Sequence, residues 1–210
     1  MNLGFIGTGN IVSDTITGIC KSKLSFKKII ISPRNKQKAL KLKKKFKKVI
    51  IAKSNQEVVD KSDWVFFGVL PEVGEKILPK LKYKNNQVIV SFISTINYSQ
   101  LKKIVKKKLK IVRAIPMPPI QLGKGPVAIF PPDKKVKSFF NKIGKTIEIK
   151  NEKLSKNFWA ISGTMASFYE LVKILSDWLV KKRLKRIQAQ QYITSLYSAL
   201  AELASANSNK

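Results

Sequence analysis

The sequence predicts an α/β protein: a doubly wound, mostly parallel sheet over residues 1–150, followed by a smaller all-helical domain over residues 151–210. Three observations predict it. Apolar runs short enough for buried strands alternate with helical patterns through the first 150 residues, and that alternation means parallel strands joined by crossover helices. The first run closes on Gly7-Thr8-Gly9-Asn10 and turns at once into a helix. Beyond Asn151 the alternation stops, and apolar residues recur only at threes and fours.

In chain order, Leu3, Phe5 and Ile6 give a buried strand, and Ile11, Val12, Ile16 and Ile19 recur at the spacings of a helix that begins near Asn10. Ile29-Ile30-Ile31 is a second strand, followed by Pro33-Arg34-Asn35 and a helix over 36–46. Residues 49–52 form a short third strand, and Val58 and Val59 mark a short helix. The run from Trp64 to Leu70, closed by Pro71, is apolar enough for a central strand. A helix over 72–81, a strand over 88–93, a helix over 98–107 and a strand over 110–115 follow. Two further short strands, 127–130 and 146–149, bracket a helix that starts about Asp133. In the last domain, Leu154 to Leu179 carries one helical pattern and Ile187 to Leu203 a second, parted by a basic break at 181–185. Helices with such broad apolar faces need a partner. They cover the sheet of their own chain, or, as we prefer, they supply the interface of a homodimer or higher homo-oligomer and complete an active site.

The turn at Gly7 to Asn10 has the layout of a Rossmann-like phosphate cradle. Its first glycine permits the tight strand-to-helix turn, its second lets backbone approach a pyrophosphate, and the helix N-terminus offers free N–H groups with a positive dipole end. Gly7, Thr8, Gly9, Asn10 and Ile11 are therefore the candidate pyrophosphate residues. The third small position of the full fingerprint is Val12, a departure, and the alternative is a turn that needs glycine only for its backbone angles. At the end of the second strand an acidic residue would bind a ribose 2′-hydroxyl and repel a 2′-phosphate. None lies between Asp14 and Glu57; Ser32, Arg34 and Asn35 stand there instead, donors suited to a phosphate monoester. NADP(H) is favoured over NAD(H), although Arg34 also reads as a solvated charge in a lysine-rich neighbourhood. Gly68-Val69-Leu70-Pro71 ends the fourth strand, where backbone can lie against a nicotinamide, and Ser94 and Thr95 end the next strand at the same edge. Ordinary strand-end capping explains these two hydroxyls equally well.

Composition removes several function classes. A net charge of +30 raises nucleic acid as a partner. Arginine, however, stands only at Arg34, Arg113, Arg183 and Arg186, and the lysines scatter over almost every predicted helix rather than one face. Solvated lysine-rich helix faces are the preferred reading, with no nucleic-acid partner, and the charge should still attract anionic cofactors and carboxylates. The chain has no histidine and one cysteine, Cys20, on the first helix. That argues against zinc hydrolysis and against Ser-His-Asp or Cys-His catalysis, and it predicts Cys20 to be a small core residue. No metal site is expected. No apolar run has membrane-span length and the first strand starts at residue 2 or 3, so a cytoplasmic setting without a membrane partner is expected.

Together these residues resemble the pyrroline-5-carboxylate reductase family. The opening Gly4-Phe5-Ile6-Gly7-Thr8-Gly9-Asn10-Ile11 is similar to that family's start. Asn55 with Val58-Val59, Ser62 to Phe66 and then Val69-Leu70-Pro71 is similar to its segment ending in a Val-x-Pro turn. Arg113-Ala114-Ile115-Pro116 resembles its Arg-x-Met-Pro, and Ser162-Gly163-Thr164 the beginning of its Ser-Gly-Ser-Gly-Pro-Ala-Tyr helix start. The resemblance implies that Asn55 contacts the adenosine part of the cofactor, that Val69 and Pro71 border nicotinamide, and that the C-terminal helices build an intertwined dimer. It further implies hydride transfer from NADPH to the C=N of a cyclic, carboxylate-bearing imine in proline synthesis. Substrate contacts would then fall to Ser94, Thr95, Ser162, Gly163 and Thr164. Met117-Pro118, Ser94-Thr95 and Met165-Ala166-Ser167 depart from the family pattern, and its Ser-Pro-Gly-Gly-Thr-Thr substrate segment is missing before Asn207-Ser208-Asn209-Lys210. A fragment or truncated product is the preferred expectation, with a divergent member as the alternative. Two other functions stay open: a related NADP-dependent oxidoreductase of deazaflavin or hydroxy-acid type, for which Lys173 is the obvious catalytic lysine, and a non-catalytic NADPH-binding dimerisation module.

Overall fold

The computed structural model describes residues 1–207; Ser208, Asn209 and Lys210 of the terminal tetrapeptide lie outside the described residues. The chain forms two compact units, Met1–Ser155 and one that begins at Lys156. The sheet unit reaches past the change of pattern at Asn151 because Glu152 is bonded into it, to the backbone of Tyr98 and to Arg113.

The first unit alternates strand and helix: β1 (Leu3–Ile6), α1 (Asn10–Lys21), β2 (Ile29–Ile31), α2 (Lys36–Lys45), β3 (Val49–Ile51), α3 (Asn55–Asp60), β4 (Trp64–Phe67), α4 (Pro71–Ile77), β5 (Val88–Ser91), α5 (Tyr98–Val105), β6 (Lys110–Pro116), β7 (Pro126–Phe130), α6 (Lys134–Phe140) and β8 (Lys145–Glu148). One eight-stranded sheet results, in the order β3-β2-β1-β4-β5-β6-β7-β8. Neighbours are parallel except β6 and β7, which run antiparallel. The reason is the connection. Residues 117–125 hold only a 3-10 turn, Pro118–Leu122, so no crossover helix carries the chain back to the start of a parallel strand.

Both faces of the sheet are buried, as parallel strands require. Period-two alternation sends Leu3, Phe5, Trp64 and Phe66 to one layer, with α1, α2 and α6, and sends Ile6, Val65 and Phe67 to the other, with α3 and α5. Phe5 and Phe66 are register partners whose rings stack 4.4 Å apart at the centre of the first layer. Each such fully buried phenylalanine is worth roughly 1.5–3 kcal/mol of transfer free energy.

The Val12 departure has a packing explanation. A Cβ on Gly68, just after β4, would lie 2.1 Å from Val12 Cγ2, and Val12 is fully buried. The close helix-to-strand contact that a small third residue on the helix would permit is made here by a glycine on the strand side, and valine fills the helix side.

The second unit departs from the two-helix expectation. Among the described residues it holds three helices: α7 (Ser155–Ser162), whose first residue closes the sheet unit, α8 (Met165–Lys181) and α9 (Arg186–Asn207). Gly163 and Thr164 end the first one, where their N–H groups bond back to Trp159, Ala160 and Ile161. The apolar threes and fours run across that interruption, which is why periodicity alone does not reveal it. α8 packs on α9 with Phe168 edge-on to Tyr197 and with Ser176, Ala189 and Ile193 buried.

Gly68→Ala should therefore overpack this contact and cost about 1–3 kcal/mol, and Val12→Ala in the same chain should recover most of it. Denaturant midpoints of the two single variants and the double variant measure the coupling. Additive losses would refute the pairing.

Candidate functional site

The sheet reverses its winding between β1 and β4, where the connections through α1 and α4 lead in opposite directions, and a crevice opens past the strand ends. It is a groove of about 540 Å³, in which Gly7, Thr8, Gly9, Asn10, Ile11, Arg34, Asn35, Val69 and Leu70 meet. Gly68, Val73 and Phe92 complete its lining. Val73 and Phe92 are absent from the sequence reading. The signal for both was position: Val73 lies in the helical turn that Pro71 starts, and Phe92 directly follows β5.

Gly7 has φ +104, and a Cβ there would lie 2.2 Å from the Gly68 carbonyl oxygen, so two backbone segments meet at van der Waals limit. Two hydrogen bonds fix the turn. Gly7 N–H donates to Ser32 Oγ at 2.9 Å, and Thr8 Oγ1 donates to the Arg34 carbonyl. Lys38 reaches across from α2 to Asn10 Oδ1.

The first turn of α1 has no side-chain cap and no acidic residue, so its leading N–H groups carry the positive helix end into the groove. A Cβ on Gly9 would meet no atom within 4 Å, which leaves open space over those donors. Arg34 is exposed at the groove, and Asn35, at φ 60, caps α2 by accepting the Lys38 N–H. Leu70, 70% exposed, offers an apolar edge at the mouth. An anion-binding turn, a cation beside the end of the second strand and an apolar wall fit a phosphorylated dinucleotide. Asp14, one turn into α1, has its pKa raised by burial, with Lys38 opposing the shift.

Other predicted residues lie elsewhere. Ser32 is fully buried, its Oγ accepts the Gly7 N–H, and it does not line the groove. Asn55 opens α3 beyond β3, and Pro71 is the first residue of α4; neither lines the groove. Ser94 and Thr95 follow β5 at the same sheet edge without lining the groove, and the Ser94 carbonyl is taken by Arg113. Ser162, Gly163 and Thr164 belong to the helical unit. The Ser162 and Thr164 hydroxyls donate to the carbonyls of Phe158 and Ile161, so neither is a free donor. Lys173 pairs with Glu170 at 3.1 Å on an exposed face of α8.

The family described as NADP oxidoreductase, coenzyme F420-dependent, matches residues 2–97, the segment that builds the groove. A pyrroline-5-carboxylate reductase of Vibrio alginolyticus is 25% identical over 178 residues, 80% of this chain and 65% of that protein. The solved 1-pyrroline-5-carboxylate reductase of Streptococcus pyogenes superposes with a TM-score of 0.81 at 25% identity, over 99% of this chain and 81% of its own. In sequence and in fold the chain is similar to these pyrroline-5-carboxylate reductases. The Plasmodium falciparum pyrroline carboxylate reductase, solved with NADP bound, has the same fold, with a TM-score of 0.83 at 23% identity over 99% and 80% of the two chains. The chain spans 65% of the length of its Vibrio relative.

Cys20 packs half-buried against the first layer of the core, and burial pushes its thiol up to about 11. The unfolded thiol, at 9.0, loses its proton first as pH rises, so this contribution to stability is present below pH 9 and is lost between 9 and 11. In the native protein Cys20 should react with a thiol reagent at pH 7 at least about tenfold more slowly than after denaturation. Equal rates would show an open thiol.

Proposed function

We propose that this chain is an NADPH-dependent reductase that acts on the C=N bond of 1-pyrroline-5-carboxylate, the last step of proline synthesis. One observation carries the reading: the phosphate turn is bonded directly to a strand end that holds Arg34 and no acid. The NADP-bound Plasmodium relative and the family of the Vibrio relative support the cofactor and the substrate.

The residues divide the work as follows. The N–H groups of Gly9, Asn10 and Ile11 hold the pyrophosphate, Arg34 and Asn35 the 2′-phosphate, and Val69, Leu70 and Pro71 the nicotinamide edge, with Asn55 towards the adenosine part. The bound cofactor supplies a hydride, and the substrate enters as the protonated imine, so that its carbon gains hydride and a neutral secondary amine leaves with NADP⁺. A chain without histidine needs no general acid for that sequence, because the nitrogen brings its proton from solvent. Ser94 and Thr95, which follow β5 at the same sheet edge, would receive the substrate, and Ser162, Gly163 and Thr164 are the further substrate contacts that the resemblance implies. The wide positive field of the chain draws in the anionic cofactor and favours the carboxylate end of the substrate.

The helical unit is the oligomer interface in this reading. Its exposed side chains include Ile161 at 72%, Tyr169 at 58%, Trp178 at 57% and Leu203 at 58%, an apolar surface that water disfavours. A second copy of the chain is the partner, in a cytoplasmic setting. Among the described residues no helix is long and apolar enough to cross a membrane.

NADPH oxidation with 1-pyrroline-5-carboxylate tests the reaction directly, and NADPH binding without turnover would leave a cofactor-binding module. Arg34→Ala should weaken NADPH by roughly 10- to 100-fold while changing NADH little, since a charge-assisted phosphate contact is worth about 1.5–3 kcal/mol. Equal weakening of both cofactors would remove the 2′-phosphate role. Trp178→Glu should shift the chain towards monomer in sedimentation equilibrium, and an unchanged mass would exclude this interface.

A further inference from the structure

An ion pair between a buried arginine and a partly exposed glutamate lies outside the groove, and the cofactor-binding residues leave it unused. Arg113 is on β6, in register with Ser91 at the end of β5, and is 3% exposed. Its Nη1 donates to Glu152 Oε1 and its Nη2 to the Ser94 carbonyl at 2.5 Å. The same Glu152 oxygen accepts the Tyr98 N–H at 2.7 Å. One ion pair thus grips both ends of the 94–98 loop.

That loop follows β5, which pairs with β4, and begins two residues after Phe92, which lines the groove. Helix α5 does not need Glu152 to start, because Asn97 and Gln100 form their own reciprocal cap. Stability is also a weak reason to keep such a pair, since well-packed apolar replacements of buried ion pairs are often neutral or stabilising. What the pair adds is direction. A planar guanidinium that donates to Glu152 and to the Ser94 carbonyl, together with a shared carboxylate oxygen, fixes the two loop ends relative to β6, and flexible contacts would not.

We propose that Arg113 and Glu152 are positioning residues that hold Ser94 and Thr95 in register with the groove for the imine substrate, an inference that rests on the reductase reading. Neither touches cofactor, and both act through the loop. The clamp gives a signature that a general stabilising role would not: it moves substrate binding and leaves cofactor binding alone.

The test uses the full chain with Glu152→Ala and, as the shape-preserving variant, Glu152→Gln, which keeps an acceptor for Tyr98 N–H. Glu152→Ala should raise amide exchange in a 94–98 peptide about tenfold and raise KM for 1-pyrroline-5-carboxylate about tenfold, with kcat changed less and NADPH Kd held within about twofold. Glu152→Gln should show smaller shifts in both. Unchanged exchange in the loop, or faster exchange with KM unmoved, overturns the proposal, as does an equal loss of NADPH affinity. A wild-type chain that binds NADPH but does not reduce the imine defeats the reductase reading and the substrate-side role together. Normal wild-type turnover with an unaltered Glu152→Ala loop defeats the clamp alone.

Discussion

The site depends on a single buried hydrogen bond, from the Gly7 N–H to Ser32 Oγ. A glycine at positive φ brings the largest backbone entropy of any residue into the folded state, and its N–H is held in a buried hydrogen bond. A hydrogen bond of this kind contributes about 1 kcal/mol net, yet leaving the donor unpaired costs roughly 1–3 kcal/mol, so the hydroxyl is close to obligatory. Because Ser32 ends β2, the bond also sets how far Arg34 stands from the phosphate turn. Thr8 adds a second link to the same segment, and the piece that recognises phosphate becomes continuous with the piece that discriminates between cofactors.

Much of this was legible in the residues. Strand and helix order follows from period-two and period-three-to-four apolar spacing, and the groove residues follow from where a doubly wound sheet reverses. Three things were hidden for physical reasons. The role of Ser32 depends on which way a side chain points at a strand end, and a hydroxyl reads identically whether it meets a ligand or a backbone amide. The antiparallel β7 was written in the missing helical pattern between Ile115 and Val127, a signal carried by absence and easily passed over beside so regular an alternation. The interruption at Gly163 and Thr164 was masked because the apolar rhythm continues across it.

The carboxylates show how so basic a chain folds. Against 42 lysines and arginines there are 12 acids, and several sit at joints. Asp63 accepts the Asn2 N–H, Glu57 reaches back to Lys53 at the start of α3, Asp133 caps α6 and pairs with Lys110, and Glu148 pairs with Lys137. Exposed pairs of this sort add little individually. Their value lies in satisfying backbone donors at element starts, which scattered lysines cannot do because an ammonium accepts nothing. The lysine excess is thus carried on solvated faces, while directional bonding is left to the few acids and to hydroxyl and amide side chains.

The contact between Val12 and Gly68 bears on how dinucleotide motifs are recognised at all. The fingerprint's last small residue stands for a distance between two backbones, and that distance constrains a sum of side-chain volumes across the helix-strand boundary. A chain that moves the vacancy from one side of the boundary to the other conserves the sum and loses the written pattern.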